Sequence, residues 1–429
     1  MAEAKSVDAP PPAMEAATPQ WMARTLVALR QEGNGGRARS GAGITRLCEP
    51  IGPRVRSLAC PEASERVPAN PETDLLKTRL LSLGTAAPPY VASQAEVVAQ
   101  AGEVFRDHPA LFERLRPAFD NAGIAQRHLV RPPAWIAQPR DWAEMHAIFL
   151  PEALGLLQQA AEATLAPAGI APDEVDILVT ACSTGFTTPS LDARLMEQVG
   201  FRRDVERVPL VGLGCAGGVL GLARAATLAR ARPGAKVLFL TVELCSLTFR
   251  SRDKSSENII AAVLFGDGAA GALLCCEGDG TEGVRIGAVG EHTWPDSLDV
   301  MGWRIEPDGL GVFFSQSIPQ RARVDLPPLV DAFLARQGLT RADIAGYAPH
   351  PGGAKVLQGI RDGFGLGDKD LAAAAAVLRD YGNMSAPTAL FVLQRQLRDG
   401  ATGRQLVMAM GPGFTAAYLL VEVAGEWRQ

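Results

Sequence analysis

The chain has 429 residues, 47% of them hydrophobic and 21% charged, with a formal net charge of −5. This is the balance of an ordinary soluble globular protein, and its length suggests two or three domain-sized units. The mild acidity gives no footing for a nucleic acid, and no apolar run approaches the roughly 18 residues of a membrane span. Seven scattered cysteines without a CxxC pair and five histidines without HExxH spacing argue against a metal site and a disulfide framework. No basic segment followed by an apolar one opens the chain, so a reduced, cytoplasmic protein is expected.

Residues 1–74 are rich in proline and in patches such as Gly33-Asn34-Gly35-Gly36-Arg37, and are expected to form a disordered extension with at most a short amphipathic helix over 21–29. Order is expected from Leu76. Residues 79–83 read as a strand, 84–89 as a loop with strong breakers, and 93–106 as an amphipathic helix capped by Ser93. A helical pattern covers 141–166, and 175–179 is a β-branched strand leading into Cys182-Ser183-Thr184-Gly185. After a helix over 191–199, the run Arg207-Val208-Pro209-Leu210-Val211 reads as a buried strand. Gly212-Leu213-Gly214-Cys215-Ala216-Gly217-Gly218 then turns into a helix over 219–230.

Cys215 therefore stands where a strand becomes a helix, a position whose free N–H groups and helix dipole favour a thiolate. Gly214 and Gly217 beside it leave room for a substrate to approach the sulfur. Beyond it, 235–242 is a continuous apolar strand, 258–264 a helix, and Gly266-Asp267-Gly268 a turn into a strand over 269–275. A strand over 284–289 enters a long connection over 292–308 containing two tryptophans. Helices follow at 326–336, 354–364 and 385–397, and strands at 344–348, 405–410 and 416–423. The alternation of strands and helices indicates an α/β protein built on buried sheets.

Two later loops carry reactive groups: Pro349-His350-Pro351-Gly352-Gly353 at a strand end, and Tyr381-Gly382-Asn383-Met384-Ser385-Ala386-Pro387 before a helix. With Cys215 they supply a thiol nucleophile, a base and an amide donor, the pattern of a cysteine nucleophile with His and Asn partners elsewhere in the chain.

Five separated stretches, RVPLVGLGCAGG, FGDGAA, HPGG, YGNMSAP and MGPGFT, occur in the order seen in type III polyketide synthases, and the chain resembles the chalcone/stilbene synthase family from about Leu81 to its end. The resemblance implies a thiolase-type, five-layered αβαβα fold of two similar halves, with residues 75–280 carrying Cys215 and 281–429 carrying His350 and Asn383. It also implies a homodimer that uses acyl-CoA and malonyl-CoA as substrates and needs no metal or organic cofactor. In that family's pattern Cys215 carries the acyl chain, His350 holds it as thiolate in an ion pair, and His350 with Asn383 stabilises the enolate formed when malonyl-CoA loses CO₂. Phe249 matches a gating aromatic. Cys182, Ser183, Thr184, Gly302 and Gly413 match pocket positions, and Arg114 and Arg116 match the cluster that grips CoA phosphates. Gly212, Met410, Asn121 and Val312 depart from the pattern, which turns the expected starter towards an aliphatic acyl-CoA or malonyl-CoA itself. The alternatives are a β-ketoacyl-carrier-protein synthase III, disfavoured by His350-Pro351-Gly352-Gly353, and a non-catalytic protein on the same fold, disfavoured by the intact trio.

Overall fold

The computed structural model describes residues 78–276, 283–425 and 427. The extension expected over 1–74, with its short helix, lies outside the described residues.

The strands are β1 (Thr78–Ala86), β2 (Tyr90–Ser93), β3 (Gln126–Leu129), β4 (Ile177–Cys182), β5 (Glu206–Val211), β6 (Val237–Leu244), β7 (Asp267–Cys275), β8 (Gly283–Thr293), β9 (Met301–Glu306), β10 (Gly309–Phe314), β11 (Gly346–Pro349), β12 (Gly403–Gly411) and β13 (Thr415–Ala424). The longer helices are α1 (Gln94–Val104), α2 (Trp142–Ala168), α3 (Leu191–Val199), α4 (Gly217–Ala231), α5 (Ser256–Leu264), α6 (Ile318–Val324), α7 (Leu326–Ala335), α8 (Ala354–Phe364), α9 (Ala372–Tyr381) and α10 (Pro387–Arg398).

Local chemistry sets many of these boundaries. Ser93 and Asp141 each accept the N–H of a glutamate three residues on, and that glutamate returns a bond to the cap, so α1 and α2 begin on capping boxes. Gly169, in the left-handed region, ends α2. Every residue of β6 is buried, as a strand apolar on both faces requires.

Nine strands form one ladder in the order β11-β12-β13-β8-β1-β7-β6-β4-β5. β1 pairs with β7 along most of its length but with β8 only through Thr78, Arg79 and Leu80, a narrow seam joining the sheets of the two halves. Helix α2 covers the outer face of the first half, where Phe149 and Leu157 pack with Leu178, Leu240 and Leu273. Helices α4 and α10 lie between the sheets, with Ala223, Ala226, Leu390 and Leu393 in one core with Val179, Phe239, Val407 and Leu419. On the far side α7 and α8 bury Val330, Phe333 and Ile360 against Leu406 and Tyr418. The result is the five-layered thiolase-type α/β fold expected, with its two inner helices shared between the halves.

Four local expectations need correction. β5 is an edge strand with alternate residues open and Val211 55% exposed; only Val208 and Leu210 pack against the core. Residues 301–314 form a hairpin, β9–β10, around Pro307-Asp308, where a plain connection was expected. Helix α9 was missed because its alanine run has no apolar periodicity. β1 continues through Gly84-Thr85-Ala86, expected as loop, because its backbone there pairs with β7.

Candidate active site

Cys215 sits in a single 3₁₀ turn, Gly214–Ala216, between the edge strand β5 and helix α4. The glycines around it serve packing more than access. Gly214 has φ +46°, and a Cβ there would lie 2.6 Å from Cδ of Pro412. Cβ atoms on Gly217 and Gly218 would meet Ala386, at 3.2 Å from its Cβ and 2.1 Å from its carbonyl oxygen respectively, so the bare backbone lets α4 approach the start of α10. The Gly214 N–H donates to Ser183 Oγ at 2.9 Å, tying the nucleophile turn to the end of β4.

His350 follows β11, and its own N–H donates to the Met408 carbonyl at 2.7 Å. Asn383 is anchored on both sides of its backbone, donating to the Leu264 carbonyl at 2.8 Å and accepting from the Gly266 N–H at 3.0 Å. Gly382 before it has φ +69°, and a Cβ there would lie 2.9 Å from the Leu264 carbonyl oxygen. The Asn383 side chain is fixed too: Oδ1 accepts from the Ser385 N–H at 2.8 Å, and Nδ2 donates to the Gly352 carbonyl at 3.2 Å. The other amide hydrogen is on the side of Cys215, whose sulfur Asn383 hydrogen-bonds.

Cys215, His350 and Asn383 line one cavity of about 650 Å³, together with Ser385, Phe265, Trp303, Met408 and Met410. Its mouth includes the exposed residues Arg114, Asn121 and Lys355. The volume is ordinary for an organic ligand site.

The remaining expected site residues divide. Arg114 and Gly302 line this cavity. Arg116 does not; it pairs with Glu113 at 3.6 Å on the surface. Phe249 lines a separate cavity of about 60 Å³ with Val97 and Ile136. The phenylalanines lining Cys215's cavity are Phe313 and Phe314 of β10 and Phe265, from the FGDGAA stretch, whose ring lies 6.1 Å from that of Trp303. Cys182, Ser183 and Thr184 are buried around the Glu243 carboxylate, not exposed to the cavity: Ser183 N–H, Thr184 N–H and Thr184 Oγ1 donate to it at 2.7–3.1 Å. Gly413 also lies off the cavity wall; its carbonyl accepts from Ser297 Oγ at 3.2 Å, while Pro412 and Met410 reach the cavity.

Two buried ionisable residues absent from the sequence reading support the site from behind. The Arg127 guanidinium donates to the carbonyls of Ala262, Val263 and Phe265, closing the end of α5 and the turn that bonds Asn383. Desolvation lowers its pKa to about 10, partly offset by Asp267, whose own pKa burial raises to about 6. Glu243 is raised to about 7 by burial, with its hydrogen bonds opposing the shift. Neither residue belongs to a periodic pattern; the signal available was a charged residue inside an otherwise apolar stretch, as at Glu243 in Val237–Leu244.

Burial acts against the expected Cys–His ion pair at both of its members. Burial raises the Cys215 thiol to about 11, against hydrogen bonds from Ser385 and Asn383, and the charge of Glu243 adds to the rise. Burial lowers His350 to about 4, and neither of its ring nitrogens has a hydrogen-bond partner among the described residues. Both effects favour thiol beside neutral imidazole, an arrangement suited to general-base activation as the substrate is attacked. Iodoacetamide alkylation of Cys215 in the free protein is accordingly expected to accelerate by about tenfold per pH unit from pH 6 to 9, tracking the thiolate fraction. A rate already level below pH 8 would show a preformed ion pair instead.

Among the described residues no group of three or more His, Cys, Asp or Glu is placed to hold a metal ion. No helix among them is long and apolar enough to cross a membrane.

The models of the N-terminal and C-terminal domains of chalcone and stilbene synthases match residues 70–278 and 288–424. The chain belongs to the chalcone and stilbene synthase family. It is therefore a type III polyketide synthase, an acyltransferase of the condensing kind. Its relatives include a putative chalcone synthase of Bacillus subtilis (strain 168), 36% identical over 80% of this chain and 97% of that protein. A 1,3,6,8-tetrahydroxynaphthalene synthase of Streptomyces peucetius subsp. caesius is also 36% identical, over 80% of this chain and 93% of its own. Among solved structures, the 1,3,6,8-tetrahydroxynaphthalene synthase of Streptomyces coelicolor A3(2) superposes with a TM-score of 0.75 at 26% identity, covering 81% of this chain and 99% of that one.

Proposed function

We propose that this synthase loads an acyl group from an acyl-CoA starter onto Cys215 and extends it repeatedly with malonyl-CoA before releasing a cyclised pyrone, resorcinol or phloroglucinol-type product. The observation that carries this reading is the convergence of Cys215, His350 and Asn383, from three distant stretches, on one cavity with a cationic mouth. In the loading step the Cys215 sulfur attacks the starter carbonyl while His350 takes the thiol proton and passes it to the departing CoA sulfur. The turn before α4 offers the Cys215 N–H to the developing oxyanion.

Malonyl-CoA then loses CO₂, and the electron pair of the broken C–C bond becomes an enolate. The Asn383 amide and the His350 ring, both on the cavity wall, serve as the donors to that oxygen. The enolate carbon attacks the Cys215 thioester, the Cys215 sulfur leaves, and the lengthened chain returns to it for the next round. Arg114 and Lys355, both without an ion-pair partner among the described residues, supply positive charge for the CoA phosphates. The proposal extends to a homodimer acting in the cytoplasm, with the exposed Phe186 and Val211 at the ends of β4 and β5 as apolar surface for the second copy.

Purified protein given acyl-CoA and malonyl-CoA, with no carrier protein, is expected to release products heavier than one condensation allows, read by mass spectrometry. A single-condensation product, or turnover only with a carrier protein, would favour the synthase III alternative.

A further inference from the structure

The Ala261 carbonyl accepts the Phe265 N–H, and the carbonyls of residues 262–265 that follow have no partner within helix α5. Two residues divide them. Arg127 of β3 donates to Ala262 and Phe265 through Nη1, at 2.8 and 3.0 Å, and to Val263 through Nη2 at 2.8 Å. The Leu264 carbonyl, among these, takes the backbone N–H of Asn383, and the Gly266 N–H donates in turn to the Asn383 carbonyl. The stem of Arg127 completes the junction: Cβ atoms on Gly266 and Gly382 would lie 3.4 and 3.6 Å from its own Cβ. Arg127 is 1% exposed, and Val263, Leu264 and Phe265 all line the cavity of Cys215.

We propose that Arg127 is a positioning residue for decarboxylation, holding the end of α5 so that the Leu264 carbonyl sets the Asn383 amide where the enolate oxygen forms. The inference rests on Asn383 serving that oxygen, and it adds the group that keeps the donor in place. A guanidinium fork suits the task, because one side chain can reach three carbonyls at once. Its charge also sits at the helix end that favours a cation. Without it three buried carbonyls lose their donors, and the end of α5 must rearrange to satisfy them. The two backbone anchors of Asn383, the Leu264 carbonyl and the Gly266 N–H, belong to that same turn and move with it. Cys215 hangs elsewhere, on the turn before α4, tied through the Gly214 N–H to Ser183 Oγ. Loading of the sulfur is therefore insulated from Arg127 while decarboxylation is not. A plain staple between the β2–β3 ribbon and the body of the protein would instead weaken both steps alike.

The test compares Arg127→Gln and Arg127→Lys with the wild-type chain in two assays: radiolabelled CO₂ release from malonyl-CoA, and single-turnover acylation of Cys215 by hexanoyl-CoA. Arg127→Gln is expected to slow CO₂ release by about 10- to 100-fold, since a misplacement of about 1 Å can cost about a hundredfold, and to leave acylation within about threefold. Arg127→Lys, which keeps the charge but not the fork, is expected to fall between Arg127→Gln and wild type. Added to Asn383→Ala, Arg127→Gln is expected to slow CO₂ release by no more than about threefold further, because both act through one donor. Equal losses in the two assays, or losses that multiply in the double variant, would overturn the proposal. Wild-type CO₂ release in Arg127→Gln beside a slow Asn383→Ala would also overturn it, whereas wild-type CO₂ release in Asn383→Ala would remove the enolate role of Asn383 itself. Should Arg127→Gln fail to fold, Arg127→Lys takes its place in the cycle, with CO₂ release expected to slow by about threefold or more. Failure of both to fold would overturn the proposal by making Arg127 a residue of the fold alone.

Discussion

Asn383→Ala is expected to slow malonyl-CoA decarboxylation by about 10²–10³-fold while leaving starter loading onto Cys215 within a few-fold of wild type. The reasoning starts from geometry. Asn383 is held through its backbone by Leu264 and Gly266 and through Oδ1 by Ser385, so its amide is fixed before any ligand arrives. One hydrogen is used by Gly352, and the other meets the Cys215 sulfur at the cavity wall. A donor that needs no reorganisation is worth most where charge appears during the reaction, and decarboxylation is the step that creates an enolate oxygen. Loading also generates an oxyanion, but there the Cys215 turn offers its own N–H. Radiolabelled CO₂ release from malonyl-CoA, measured beside single-turnover acylation, reads the two steps separately. Equal losses in both would mean that Asn383 supports the fold of the site, not the enolate.

The fold was largely legible because its layers rest on strong local signals. The continuous apolar run of β6, the capped starts of α1 and α2 and the glycine-led helix α4 each point to one structure. The errors fall where the signal depends on distant neighbours. Arg207-Val208-Pro209-Leu210-Val211 has the composition of a buried strand, but only its place at the sheet edge determines that alternate residues stay open. The β9–β10 hairpin turns at Pro307-Asp308-Gly309, and its strands pair only with each other, outside the main sheet.

The site divides in the same way. Cys215, His350 and Asn383 stand out because each is a reactive side chain in a glycine-bounded loop at an element end. Which phenylalanines line the cavity of Cys215 is set by tertiary packing: Phe265, Phe313 and Phe314 do, while Phe249 lines another cavity. Likewise Cys182, Ser183 and Thr184 lie near the nucleophile in space, but their polar groups are taken up by Glu243 and Gly214. Protonation was the least legible feature. It depends on burial summed over many side chains, which raises the Cys215 thiol and lowers His350, and which sequence position alone does not show.

The second large effect concerns the sulfur itself. Cys215→Ala removes the atom that carries the chain through loading and every extension, so product formation is expected to fall to background. Any residual CO₂ release from malonyl-CoA would come from His350 and Asn383 acting alone. Covalent loading is the claim on which the rest depends, and it is read most directly by incubating the protein with an acyl-CoA alone, quenching in acid and mapping the peptides by mass spectrometry. The account predicts one acyl adduct, on the Cys215 peptide, cleaved by neutral hydroxylamine as a thioester and missing from Cys215→Ala. An adduct on another residue, or product formation that survives in Cys215→Ala, would contradict it.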